Sequence, residues 1–152
     1  ICPFNHAYRC SLHVNCGGND FNANEGKRKV LYEGDAGVDG GSARYFSSSN
    51  YWGFSSTGDF MDDDNYQNTR FIATVQSTNL SEMYSTARLS PLSLTYFHYC
   101  LENGVYTVHL HLAEILFTND NTYSSLGRRI FDIYIQVIAT LECMSQGIRE
   151  VY

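Results

Sequence analysis

The chain has few of the features that would mark it as an enzyme, a nucleic-acid binder or a membrane span. It holds two prolines, one tryptophan and ten basic residues against sixteen acidic ones. A formal net charge of -6 opposes binding to phosphate backbones and to anionic lipid surfaces. No run of about 18 apolar residues is present, which excludes a spanning helix. The start, ICPFNHAYRC, lacks the charged and apolar regions of a signal peptide, so a secreted protein would carry its signal outside this stretch. Nucleophile elbow, phosphate loop and dinucleotide fingerprint are all absent. The five cysteines, Cys2, Cys10, Cys16, Cys100 and Cys143, show no Cys-x-x-Cys zinc spacing. Together with the sequon Asn79-Leu80-Ser81, a candidate glycosylation site at Asn79, they lean towards an oxidising compartment.

What is present favours strands. Twelve tyrosines and nine phenylalanines dominate the large side chains, and 152 residues suit one domain with one core. The segment 11–16 alternates Leu12, Val14 and Cys16 with polar residues, as a half-buried strand does, and Gly17-Gly18-Asn19-Asp20 breaks it. Lys29 to Glu33 predicts a second strand. It runs into the DAGVDGGS loop, after which Arg44–Ser49 and the SSTGD segment read as long surface connections. Strands follow at Arg70–Gln76, Met83–Ala87 and Leu92–Leu101, each rich in β-branched or aromatic residues. The segment GVYTVHLHLAEILF places Tyr106, Val108, Leu110 and Leu112 on one face of a long strand. Ile130–Gln136 is the last. Many strands without a βαβ rhythm point to an all-β antiparallel sandwich.

The ordered series SLHVNCGG, YEGDAG, WGFSSTGDFMDD, MYSTARLSPLSLTYFHYCL, NGVYTVHLHLAEILF and SLGRRIFDIYIQ closely resembles the malectin domain of plant leucine-rich-repeat receptor-like kinases over residues 8–136. The resemblance implies a jelly-roll-like antiparallel β-sandwich in an extracellular ectodomain, non-catalytic, with any serine/threonine kinase elsewhere in a parent receptor. It ends at Gln136, where members usually continue into further strands and this chain reads VIATLECMSQGIREVY. The expected organisation is therefore a linker at 1–10, an incomplete malectin domain at 11–136 and a divergent tail at 137–152, as in a truncated or mis-spliced product. Loss of the final strands would expose edges and leave the isolated chain marginally stable. Because Cys16 and Cys100 fall in the NCGG and YCL motifs, the resemblance suggests a disulfide between them, the alternative being two buried free thiols.

The implied ligand is a cell-wall glycan or oligosaccharide, the alternative being a protein co-receptor or peptide. Sugar recognition needs flat rings for C–H faces and carboxylates or amides for hydroxyls. Tyr45, Phe46, Tyr51, Trp52 and Phe54 cluster in sequence near Asp35, Asp39, Asp59 and Asp62, and these rings could equally plug the ends of the sandwich. Animal malectin uses several aromatics and one aspartate. By the resemblance, Phe117 keeps one aromatic position, Leu116 and Leu89 replace two others, Tyr51 or Trp52 aligns loosely with a fourth, and the aspartate falls in the absent strands. The candidate ligand residues are thus Tyr51, Trp52, Phe117, Tyr45, Asp35 and Asp59. No cofactor and no metal are expected: Met61–Asn65 lacks the spacing of a calcium loop, and His109 with His111 has no evident third zinc ligand. A glycosidase reading would rest on Glu114 and Asp132 lying on neighbouring strands at the separation that hydrolysis requires.

Overall fold

A computed structural model of the chain describes residues 9–36, 43–47, 51–58, 72–74, 82–115, 129–136, 138–144 and 148–151. The fold is all-β. The strands are β1 (Val14–Asn15), β2 (Phe21–Glu25), β3 (Arg28–Gly34), β4 (Ala43–Ser47), β5 (Trp52–Thr57), β6 (Ile72–Thr74), β7 (Thr86–Arg88), β8 (Ser93–His98), β9 (Leu110–Ala113), β10 (Arg129–Ile135), β11 (Ile138–Met144) and β12 (Ile148–Val151). A 3-10 turn, Glu82–Tyr84, precedes β7. No helix among the described residues is long and apolar enough to cross a membrane.

Two compact units divide the chain. The first takes residues 1–74 and 86–106, the second 75–85 and 107–152. In the first, β1, β3 and β2 form one sheet, β4, β5 and β8 a second, and β6 with β7 a third. All these pairings are antiparallel except β1 with β3, which is parallel. Among the described residues, the buried hydrophobic ones, Phe21, Tyr32, Trp52, Phe54 and Cys100, all belong to this unit. Alternation explains their distribution. Phe21 stands opposite Tyr32 in the β2–β3 register, and the two rings stack at 5.0 Å. In the other sheet Phe54 stands opposite Tyr96, so Trp52, Phe54, Tyr96 and His98 share the inner face while Gly53, Phe97 and Thr95 face outwards.

In the second unit β10 pairs with β11 over seven rungs and β12 pairs with β9 over four. The stretch after Gln136, expected to be a divergent tail, therefore carries two strands. The long strand expected from Gly104 onward is shorter. Only Leu110–Ala113 is paired, because the four residues of β12 set the length of the ladder. Val105, Tyr106 and Val108 precede it as exposed residues. The largest departure is at Arg44–Ser49 and at SSTGD, expected to be surface connections, where 44–47 belongs to β4 and 55–57 to β5. Serine and glycine made that stretch look like loop, yet Trp52, Phe54 and Ser56 share one face as a sheet requires and are buried, as is Gly53 between them, while Ser55 is half-buried and Thr57 exposed.

One turn ties these elements together. After β1 the chain reverses through Gly17, at φ +81°, and Gly18. A β-carbon on Gly17 would lie 2.6 Å from the backbone of Ala87 and Arg88, so glycine is required for both its dihedral and the approach of β7. Gly26, at φ +61°, turns the β2–β3 hairpin, and a methyl added there would meet nothing within 4 Å. Gly17→Ala is expected to lower the thermal midpoint by about 4 °C or more, whereas Gly26→Ala carries only the dihedral cost. Calorimetry on both variants checks this, and equal losses would show that the contact with β7 is unimportant.

Candidate functional site

Among the described residues, the richest convergence of polar side chains is internal to the first unit and is centred on Asp35, which follows β3. One carboxylate oxygen accepts the Gly17 backbone N–H. The other accepts Arg88 Nε at 2.8 Å and the Tyr96 hydroxyl at 2.6 Å. Arg88 Nη2 also donates to the Asp35 carbonyl at 2.7 Å, and the guanidinium lies 4.4 Å from the centroid of the Phe54 ring. The side chains of this ion pair are 2% and 0% exposed. Both charges are desolvated, so the fork geometry and the added N–H and O–H donors are what make the pair tolerable.

A second carboxylate is committed in the same way. Glu33, on β3, accepts Trp52 Nε1 at 2.6 Å and Arg9 Nη1 at 2.8 Å. Trp52 stacks on Tyr96 at 6.3 Å, linking the two clusters. The Cys16 thiol is free, and loss of hydration pushes its pKa up to about 12 against the opposing hydrogen bond with Tyr96, with the Asp35 charge adding to the rise and Arg88 opposing it. Tyr96 is likewise driven upward, first by burial and then by the thiol and carboxylate beside it. Neither group is set up for nucleophilic or acid–base work near neutral pH.

Comparison with known proteins places this arrangement. The malectin domain family matches residues 10–143. The chain belongs to the malectin family. A probable LRR receptor-like serine/threonine-protein kinase of Arabidopsis thaliana, RFK1, is 60% identical over 89% of the chain. Two further probable LRR receptor-like kinases of that plant are 44% identical over 86% and 46% identical over 89% of it. The chain spans only 12–13% of the length of these relatives. No solved structure matches.

Within this malectin domain the motifs NCGG, YEGDAG and STAR meet at the Asp35 cluster, through Gly17, Asp35 and Arg88. Two candidate ligand residues therefore need correction. Asp35, 2% exposed, spends its carboxylate on internal donors, and Trp52, 1% exposed, spends its indole N–H on Glu33. Neither presents a surface to a sugar. Tyr51 is half-buried, sits at φ +65° and meets Tyr99 edge-on at 6.2 Å. Tyr45 lies on β4 opposite Ser55. Leu89 is half-buried just after β7. Asp59, Met61–Asn65, Asn79, Leu116 and Phe117 lie outside the described residues.

The expected Cys16–Cys100 bridge is not formed. Cys16 is a free thiol turned into the Asp35–Tyr96 cluster, whereas Cys100, fully buried, is disulfide-bonded to a partner outside the described side chains. Cys10 is exposed and free. Glu114 follows β9 and the exposed Asp132 sits on β10, but these strands belong to separate sheets, not neighbouring ones. His111 Nδ1 is bonded to the Tyr84 hydroxyl at 2.9 Å, and among the described residues no three potential metal ligands gather. Sequence reasoning missed Arg88, Glu33 and Tyr96. Their signal was available in the alternation of LTYFH, which puts Tyr96 on the core face.

Three outcomes follow from this geometry. Arg88→Ala leaves the Asp35 carboxylate buried without its cation and is expected to cost about 3–5 kcal/mol in urea unfolding, and Arg88→Lys, whose single nitrogen cannot reproduce the planar fork that reaches both carboxylate and carbonyl, should recover little of it. Iodoacetamide should label Cys10 in the native protein and Cys16 only after unfolding, as read by peptide mass. His98 accepts the Cys100 N–H at Nδ1, so its proton sits on Nε2, which has no partner. Burial, reinforced by the Arg9 charge, lowers its pKa from 6.5, while Glu33 opposes the shift. The stability contributed by neutral His98 is thus full above about 6.5 and is lost as the pH falls towards the lowered value. The urea midpoint should drop on acidification from pH 7, and His98→Asn, which keeps an acceptor, should flatten the profile.

Proposed function

We propose that this malectin domain is an extracellular, non-catalytic recognition module of a plant leucine-rich-repeat receptor-like kinase, with a carbohydrate ligand. One observation supports the reading above others. The buried carboxylates are consumed by internal bonds, while two rings that can stack on sugar C–H faces, the exposed Tyr99 and the half-buried Tyr51, keep part of their area in solvent. The Cys100 disulfide accords with an oxidising compartment. The kinase named in the relatives would lie outside the matched segment. Tyr45, Asp59 and Phe117 stay candidate contacts, and Asn79 a candidate glycosylation site.

A protein or peptide partner is the second reading, favoured by exposed apolar residues on β10, where Ile130 is 77% and Tyr134 66% exposed. A glycan array probed with the 152-residue chain separates the two. Retention of oligosaccharides, competed by the same sugars in solution, is expected. Co-purification with a receptor ectodomain that free sugars do not disturb, with an empty array, would replace the first reading by the second.

A further inference from the structure

We infer that the outward face of the β4–β5–β8 sheet is a binding platform for neutral pyranose chains. The inference rests on the carbohydrate reading above and adds a place and a ligand class to it. The strand registers build the platform. Ser47 stands opposite Gly53 and Gly53 opposite Phe97, while Ser55 and Thr95 form the next outward rung. The rung beyond carries Thr57 and Ser93, whose hydroxyls bond to each other at 2.6 Å.

At one end of the face three rings are already assembled. Phe97 and Tyr99, two apart and so on the same side, stack at 5.8 Å and 26°. Tyr51 closes on Tyr99 edge-on, at 6.2 Å and 77°. The Tyr99 ring, in a residue 38% exposed, is fixed by a hydrogen bond between its hydroxyl and Ser47 Oγ. Gly53, buried and without a side chain, stands opposite Phe97 in the register.

Tyr51 adds an independent observation. It holds φ at +65°, a left-handed backbone that a bulky residue rarely adopts. The Tyr99 N–H donating to the Tyr51 carbonyl at 3.0 Å holds it there and aims its ring at the platform. Strain kept in a half-buried ring beside two others is the pattern of a recognition surface, since packing alone would be served by glycine at that position.

The occupant follows from the charge pattern. None of the outward positions on these three strands carries a charged side chain, in a chain whose net charge is -6. Rings for C–H faces and rows of hydroxyls for sugar hydroxyls match a neutral pyranose chain. An acidic glycan would find no counter-charge here, and a charged peptide would find no ion-pair partner.

The test uses the full 152-residue chain, cellohexaose and maltohexaose as neutral probes, and polygalacturonate as the charged one, with binding read by titration calorimetry. Tyr99→Ala removes the central ring. Tyr51→Gly removes a ring while suiting the left-handed backbone, so its fold should hold even if the first variant is destabilised. Each is expected to weaken binding of the neutral probe about tenfold or more, with Lys29→Ala, on the other sheet, unchanged. Wild-type affinity in a folded Tyr51→Gly and a folded Tyr99→Ala would overturn the platform and leave the carbohydrate reading standing. Binding of polygalacturonate alone would overturn the neutral ligand class, and no binding to any glycan would overturn both.

Discussion

The Asp35–Arg88 ion pair is the constraint on which the first unit depends. A charge with almost no exposure persists in a protein interior only if its surroundings supply a partner and hydrogen bonds in fixed positions. Here that requirement dictates the local chain path. The carboxylate needs the Gly17 N–H, so the turn after β1 must come to it. Arg88 needs both a carboxylate and a carbonyl of Asp35, so β7 must lie against the end of β3. Tyr96 needs an acceptor, which places β8. Four segments far apart in sequence are held by one side chain. The close approach of the Gly17 turn to Ala87 and Arg88 is the steric side of the same arrangement.

How legible this was in the sequence depended on the kind of signal. Richness in β-branched and aromatic residues located β3, β8 and β10 well, and in β10 the expected common face of Phe131, Ile133 and Ile135 falls within one paired strand. It failed for β4 and β5, where serines and glycines on the outward face resemble turn composition, and it overshot at 105–109, where a good strand pattern has no paired partner among the described residues. Periodicity reports which face a residue would take; it does not report whether a neighbouring strand exists to pair with. Six ordered motifs identified the family without resolving what the motifs do. NCGG, YEGDAG and STAR turn out to be parts of one internal cluster, which explains their appearance together without any appeal to a ligand.

The candidate site was legible only as composition. Rings beside carboxylates describe a sugar site and a sandwich core equally well, and the distinction is burial. Trp52 and Tyr51 are adjacent, yet one is sealed against Tyr96 and Glu33 while the other projects from a left-handed turn. Asp35 and Asp59 looked equivalent as anchors, whereas Asp35 is saturated by internal donors. The cysteines show the same limit: motif position suggested a pair, but the thiol of Cys16 is occupied by its contact with Tyr96, and Cys100 is bonded elsewhere.

The placement of Trp52 has an optical consequence. It is the sole indole in the chain, desolvated, and hydrogen-bonded to a carboxylate on another sheet. Its emission should therefore be blue-shifted in the native state and should report on the docking of β5 against β3. A molecule resting on the opposite face of β5 would leave that emission nearly unchanged and would perturb the tyrosine bands instead. The chain thus contains two separable chromophore populations, one sensing the integrity of the interior and the other the occupancy of its surface.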